Sequence, residues 1–115
     1  MSLILADARM HLKRLQADVK AEKDTIWIAS LTAQKAQDIR MEMLEKVGKL
    51  LDELFQVRNA QELAKEGQVH VYRALTTLIR VKNAILSDAS LDEIQAMLED
   101  ADGEISQAQS TEKSG

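Results

Sequence analysis

Residues 5–57 read LADARMHLKRLQADVKAEKDTIWIASLTAQKAQDIRMEMLEKVGKLLDELFQV, and their spacing decides the fold. With Leu5 at position a of a heptad, the a series is Leu5, Leu12, Val19, Ile26, Ala33, Arg40, Val47 and Leu54. The d series is Ala8, Leu15, Glu22, Ala29, Ala36, Met43, Leu50 and Val57. Fourteen of these sixteen positions are apolar, where the 45% hydrophobic composition would place about seven, so the 3.5-residue period is a real pattern. It predicts a long helix with one greasy seam. Glu42 with Lys46 and Glu45 with Lys49 add i,i+4 pairs of favourable orientation on the exposed side. Run without interruption from Ser2 to Val57, such a helix is about 80 Å long at about 1.5 Å per residue. Lys23-Asp24-Thr25 is the one place where Asp or Thr could cap a fresh helix.

Only Glu22 and Arg40 put charges in the seam, and a charge there destabilises packing unless it is matched. In an antiparallel pair, a faces d. Two copies crossing at Leu31 then set Leu5 against Val57, Leu12 against Leu50, Leu15 against Val47, Val19 against Met43, Ile26 against Ala36 and Ala29 against Ala33. That register also sets Glu22 against Arg40. A shift of one heptad opposes Glu22 with Ala33 or Val47 and Arg40 with Leu15 or Ala29, stranding both charges. Breaking a buried ion pair costs about 3–5 kcal/mol, which selects the self-complementary register. The expectation is an antiparallel homodimer whose interface comprises Leu12, Leu15, Val19, Glu22, Ile26, Ala29, Ala33, Ala36, Arg40, Met43, Val47 and Leu50. The competing arrangement is a bundle within one chain, with both charges reaching water along their aliphatic stems. Trp27, Leu31, Ile39, Leu44, Leu51 and Phe55 widen the apolar stripe beyond a two-stranded coil. A second helix folded back from each subunit would cover them and make a four-helix core.

That second helix is read from Val71, Tyr72, Leu75, Leu78, Ile79, Ile85 and Leu86 at helical spacing, ending near Ser87-Asp88. Its start lies at Asn59, which with Glu62 resembles a capping box, unless Gly67 makes the turn. Ser90 with Glu93 is a better capping box, and Leu91, Ile94, Met97 and Leu98 follow on one face of a short acidic helix. From Gly103 onward the Ser/Gln/Thr/Lys/Gly composition predicts a disordered polar tail. The fold class is therefore all-α, a long antiparallel helical hairpin or coiled coil. Its parts are a dimerisation body over 1–87, a short helix over 88–102 and a tail over 103–115.

Composition supports this. The 115 residues contain no proline and four glycines, so helix breakers are nearly absent, and three aromatics leave an aliphatic core. The absence of cysteine excludes disulfides, thiolate metal sites and cysteine nucleophiles. The uncharged run from Thr25 to Gln34 is shorter than the roughly 20 residues that span a bilayer, and the first residues lack the basic flank of a secretory signal. The expectation is a cytoplasmic protein. Net charge is −4, but residues 1–87 hold 14 Lys and Arg against 11 Asp and Glu, while 88–115 hold 1 against 8. An acidic segment of that kind solvates the chain, contacts a basic partner or folds over the body's own positive face.

Signals for catalysis are lacking. The residues three before His11 and His70 are Ala8 and Gly67, so the Glu-x-x-His pairs of di-iron bundles are missing. No glycine-rich phosphate loop and no Gly-x-Ser-x-Gly elbow is present. Neither a cofactor nor a metal is expected. The reading is a non-enzymatic protein–protein interaction module, an adaptor, chaperone or regulator, that self-associates and binds a protein partner. Its detachable recognition element would be Leu91, Ile94, Met97 and Leu98. The alternative is a nucleic-acid-associated regulator that uses Arg73 and Arg80, with the acidic segment as brake.

Overall fold

The computed structural model describes residues 3–28, 33–60, 65–87 and 89–111. They form four helices: α1 (Leu3–Ile28), α2 (Ala33–Ala60), α3 (Lys65–Leu86) and α4 (Leu91–Thr111). Each packs on the next in sequence and α4 closes back on α1, while α1 and α3, like α2 and α4, sit on diagonals. The result is an up-down-up-down bundle measuring 53 × 20 × 19 Å. No strand occurs among the described residues.

Two side-chain hydrogen bonds tie α1 to α2. His11 Nδ1 donates to Glu53 at 2.8 Å, and Lys46 Nζ donates to Asp18 Oδ2 at 2.6 Å. All four residues stand one position before an a residue of the seam, the positions that flank an antiparallel pair on one side. This register sets Leu12 level with Leu50, Leu15 with Val47 and Val19 with Met43. Both contacts join α1 to α2 within one chain. The helix expected to run unbroken from Ser2 to Val57 is therefore two antiparallel helices. They end and restart at Ile28 and Ala33, not at Asp24-Thr25. Folding back shortens an 80 Å rod to a compact bundle and lets one chain bury its own seam.

The core is the seam plus two more stripes. Leu5, Ala8, Leu12, Leu15 and Val19 of α1 and Met43, Val47, Leu50, Leu54 and Val57 of α2 are buried. They meet Val71, Leu75, Leu78 and Ile85 of α3 and Ile94, Leu98, Ala101, Ile105 and Ala108 of α4. Each buried Leu, Ile or Val contributes about 1.5–3 kcal/mol relative to exposure, so the stripes outweigh local helix propensity. Ile39, Leu44 and Leu51 pack partly buried against this core, as the widened stripe requires.

The other boundaries also differ from the sequence reading. α2 continues through Asn59 to Ala60, and Gly67 lies buried inside α3, so neither residue makes the turn. The capping box before α4 forms as read: the Glu93 amide donates to Ser90 Oγ at 3.2 Å and the Ile94 amide to the Ser90 carbonyl. α4 does not stop near Ala101, however. It passes through Gly103 to Thr111, which corrects the disordered tail over 103–111; residues 112–115 lie outside the described residues. The cause is a stripe hidden in polar composition: Ile94, Leu98, Ala101, Ile105 and Ala108 alternate four and three residues apart, and all are fully buried. Gly103 faces outward with nothing within 4 Å of where a Cβ would stand.

Candidate interaction surface

Of the residues assigned to a dimer interface, Leu12, Leu15, Val19, Met43, Val47 and Leu50 are at most 4% exposed within the single chain. Glu22 lines a small cleft with Ile39, Met43 and Lys46 at the α1–α2 border. Arg40 donates from Nη2 to the Ala89 carbonyl at 2.9 Å, tying α2 to the connection between α3 and α4. The side chains of Ile26, Ala29, Ala33 and Ala36 lie outside the described residues, as do those of Trp27 and Leu31.

The acidic segment folds over the body. Asp102, 16% exposed, accepts from Arg9 Nε at 3.3 Å and pairs with Lys13 Nζ at 3.1 Å; Arg9 also donates to Gln109 Oε1 at 2.9 Å. On the other side of α4, Glu104 accepts from His70 Nδ1 at 2.6 Å. Both histidines are thus held by single carboxylates, and no group of three or more potential metal ligands exists among the described residues. The segment read as a recognition element is docked in this structure. Ile94 and Leu98 have no exposed surface, and Leu91 and Met97 pack against the core, so this apolar face is already spent inside the bundle. A cleft of about 420 Å³ runs between α1 and α2, lined by His11, Arg14, Asp18, Lys46, Lys49 and Glu53. It holds mixed charges, with His11 against Glu53 and Lys46 against Asp18.

The exposed apolar surface is elsewhere. Seven large hydrophobics are exposed among the described residues, and only Met10 lies outside α2 and α3. On α2, Glu53 and Lys46 mark the flank toward α1; Leu44, Leu51 and Phe55 occupy the opposite flank, toward α3, with Met41 and Gly48 beside them. On α3, His70 marks the flank toward α4, and Tyr72, Ile79 and Leu86, each seven residues from the next, occupy the flank toward α2. Met41 (59% exposed), Phe55, Val69, Tyr72 (55%), Ile79 and Leu86 (62%) therefore share one outer face. The rim of that face is charged: Glu45 and Asp52 stand on the α2 side, Arg73 and Arg80 on the α3 side, all exposed. The heptad of the buried seam drew the sequence reading away from this face. Its own signal was the second spacing of seven in Met41, Gly48 and Phe55 and in Tyr72, Ile79 and Leu86.

No described helix is long and apolar enough to cross a membrane. Compared with family models, with curated proteins and with solved structures, the chain matches none.

Proposed function

We propose that this chain is a non-enzymatic interaction module, an adaptor, chaperone or regulator in kind, which works by helix-on-helix contact through the outer face of α2 and α3. The observation that carries the reading is the concentration of six of the seven exposed large hydrophobics on that face. Scattered apolar residues on a surface need no explanation, whereas a contiguous apolar patch with a charged rim is the usual make-up of a protein–protein contact. The aromatic Tyr72 and Phe55 suit such a contact, because these residues anchor interfaces at low entropic cost. The test is a pull-down from lysate with quantified recovery of each captured protein. Ile79→Glu and Tyr72→Ala should lower recovery at least tenfold, while Met10→Glu, on another face, should leave it unchanged. Equal recovery with all three variants would sink the reading.

A homodimer through Leu12–Leu50 takes a specific form here. Since α1 and α2 of one chain already fill the seam, two copies can share it only by exchanging α1, which preserves every seam contact. A nucleic-acid role has one supporting observation: Arg73 and Arg80 are exposed and form no ion pair among the described residues. In that case Arg73→Ala with Arg80→Ala abolishes DNA or RNA binding at low salt, and the wild-type affinity falls steeply as salt rises.

A further inference from the structure

We infer that the occupant of the α2–α3 face is a second copy of this chain, related by a two-fold axis that runs along the bundle's length. The inference rests on the reading of this face as a contact surface and names what covers it. Asp52 stands as many residues before the end of α2 at Ala60 as Arg73 stands after the start of α3 at Lys65, and Glu45 and Arg80 match in the same way. Counted from the end at which the two neighbouring helices join, with the same rise per residue, Asp52 and Arg73 fall near one level and Glu45 and Arg80 near another. Within one chain these acids and bases lie on opposite rims of the face. None of Asp52, Arg73 and Arg80 has a partner among the described residues, and Glu45 has only the i,i+4 contact with Lys49, at 3.7 Å.

Rotation about an axis parallel to the helices carries each α2 over the α3 of the second copy without changing levels. Asp52 then meets the partner's Arg73, and Glu45 meets the partner's Arg80, twice each by symmetry. In the middle Gly48, with nothing within 4 Å of an added Cβ, leaves a dent that faces the partner's Ile79. An axis across the helices instead lays α2 on α2 and α3 on α3. It opposes acids with acids and Arg73 with Arg80, an arrangement that like-charge repulsion disfavours. Charge therefore selects both the partner and the axis. The area is of the right order: a face 20 Å wide and about 33 Å long, from about 1.5 Å rise over α3, projects roughly 650 Å². A standard interface buries about 800 Å² per partner.

The experiment is sedimentation equilibrium on four samples, with helix content checked by circular dichroism. They are the wild type, Arg73→Glu with Arg80→Glu, Glu45→Arg with Asp52→Arg, and an equimolar mixture of the two variants. The wild type should be a dimer and each variant a monomer, or a dimer at least tenfold weaker. The mixture should recover the dimer, because every rim contact is then opposite in sign again. A wild type that stays monomeric at high concentration overturns the inference, as does dimerisation indifferent to both reversals, which is the signature of exchanged α1. If the wild type is monomeric yet Ile79→Glu still loses a captured protein, the face keeps its role as a contact surface and only its occupant was misassigned.

Discussion

Asp102 shows how one side chain can decide the placement of an element. It lies mostly buried between Arg9 and Lys13, so its carboxylate joins α4 to α1 by two cations at once. The Asp18–Lys46 pair is closer, at 2.6 Å, but both partners are nearly half exposed and screened by water. Distance and strength therefore part company. Asp102→Ala should lower stability by about 1 kcal/mol, whereas Asp18→Ala should change it by less than about 0.5 kcal/mol, as read from urea denaturation midpoints. Double-mutant cycles of Asp102 with Arg9 and with Lys13 would apportion the loss between the two cations. Sequence could show that the segment is acidic and the body basic. It could not show which carboxylate closes on which cation, because that depends on the rotation of α4 about its axis, set by Ile105 and Ala108.

Among the elements, α4 carries the clearest lesson about what composition conceals. Its last two turns contain Ser, Gln and Thr, yet one apolar residue every three or four positions is enough to hold them once a groove exists to receive it. Ile105→Ala should cost about 2–5 kcal/mol, a value foreign to a disordered tail, and thermal melting would show it. Gly103→Ala should act in the opposite sense, stabilising by about 0.5–1 kcal/mol, since the added methyl meets open space in a helix interior. At the other end Ser90→Ala should cost about 1 kcal/mol and Ser90→Asp should recover most of it, through the bond to the Glu93 amide. The box at Ser90 was legible because capping is local. The limits of α1 and α2 were not, because the same heptad phase continues through 22–40 and carries no mark of where the chain turns back.

At the scale of the whole molecule, the seam's apolar period was readable but its ownership was not. A pattern symmetrical about Leu31 specifies the same contacts whether the two strands of the seam belong to one chain or to two. The absence of native cysteine permits a direct check: with His11→Cys and Glu53→Cys, a short bismaleimide should give an internally bridged monomer on a denaturing gel. A covalent dimer would mean that α1 is exchanged. The outer face of α2 and α3 was legible as residues, since Tyr72, Ile79, Phe55 and Leu51 stand at helical spacing as apolar side chains, but a single sequence does not reveal which of two stripes on α3 turns inward. One consequence follows from Arg9 holding Gln109. The first and last helices run side by side, so a few added residues could join them into a closed ring of four rods. Such a ring, reopened between α2 and α3, would be a circular permutant with a new order along the chain and the same solid object in space, melting close to its parent.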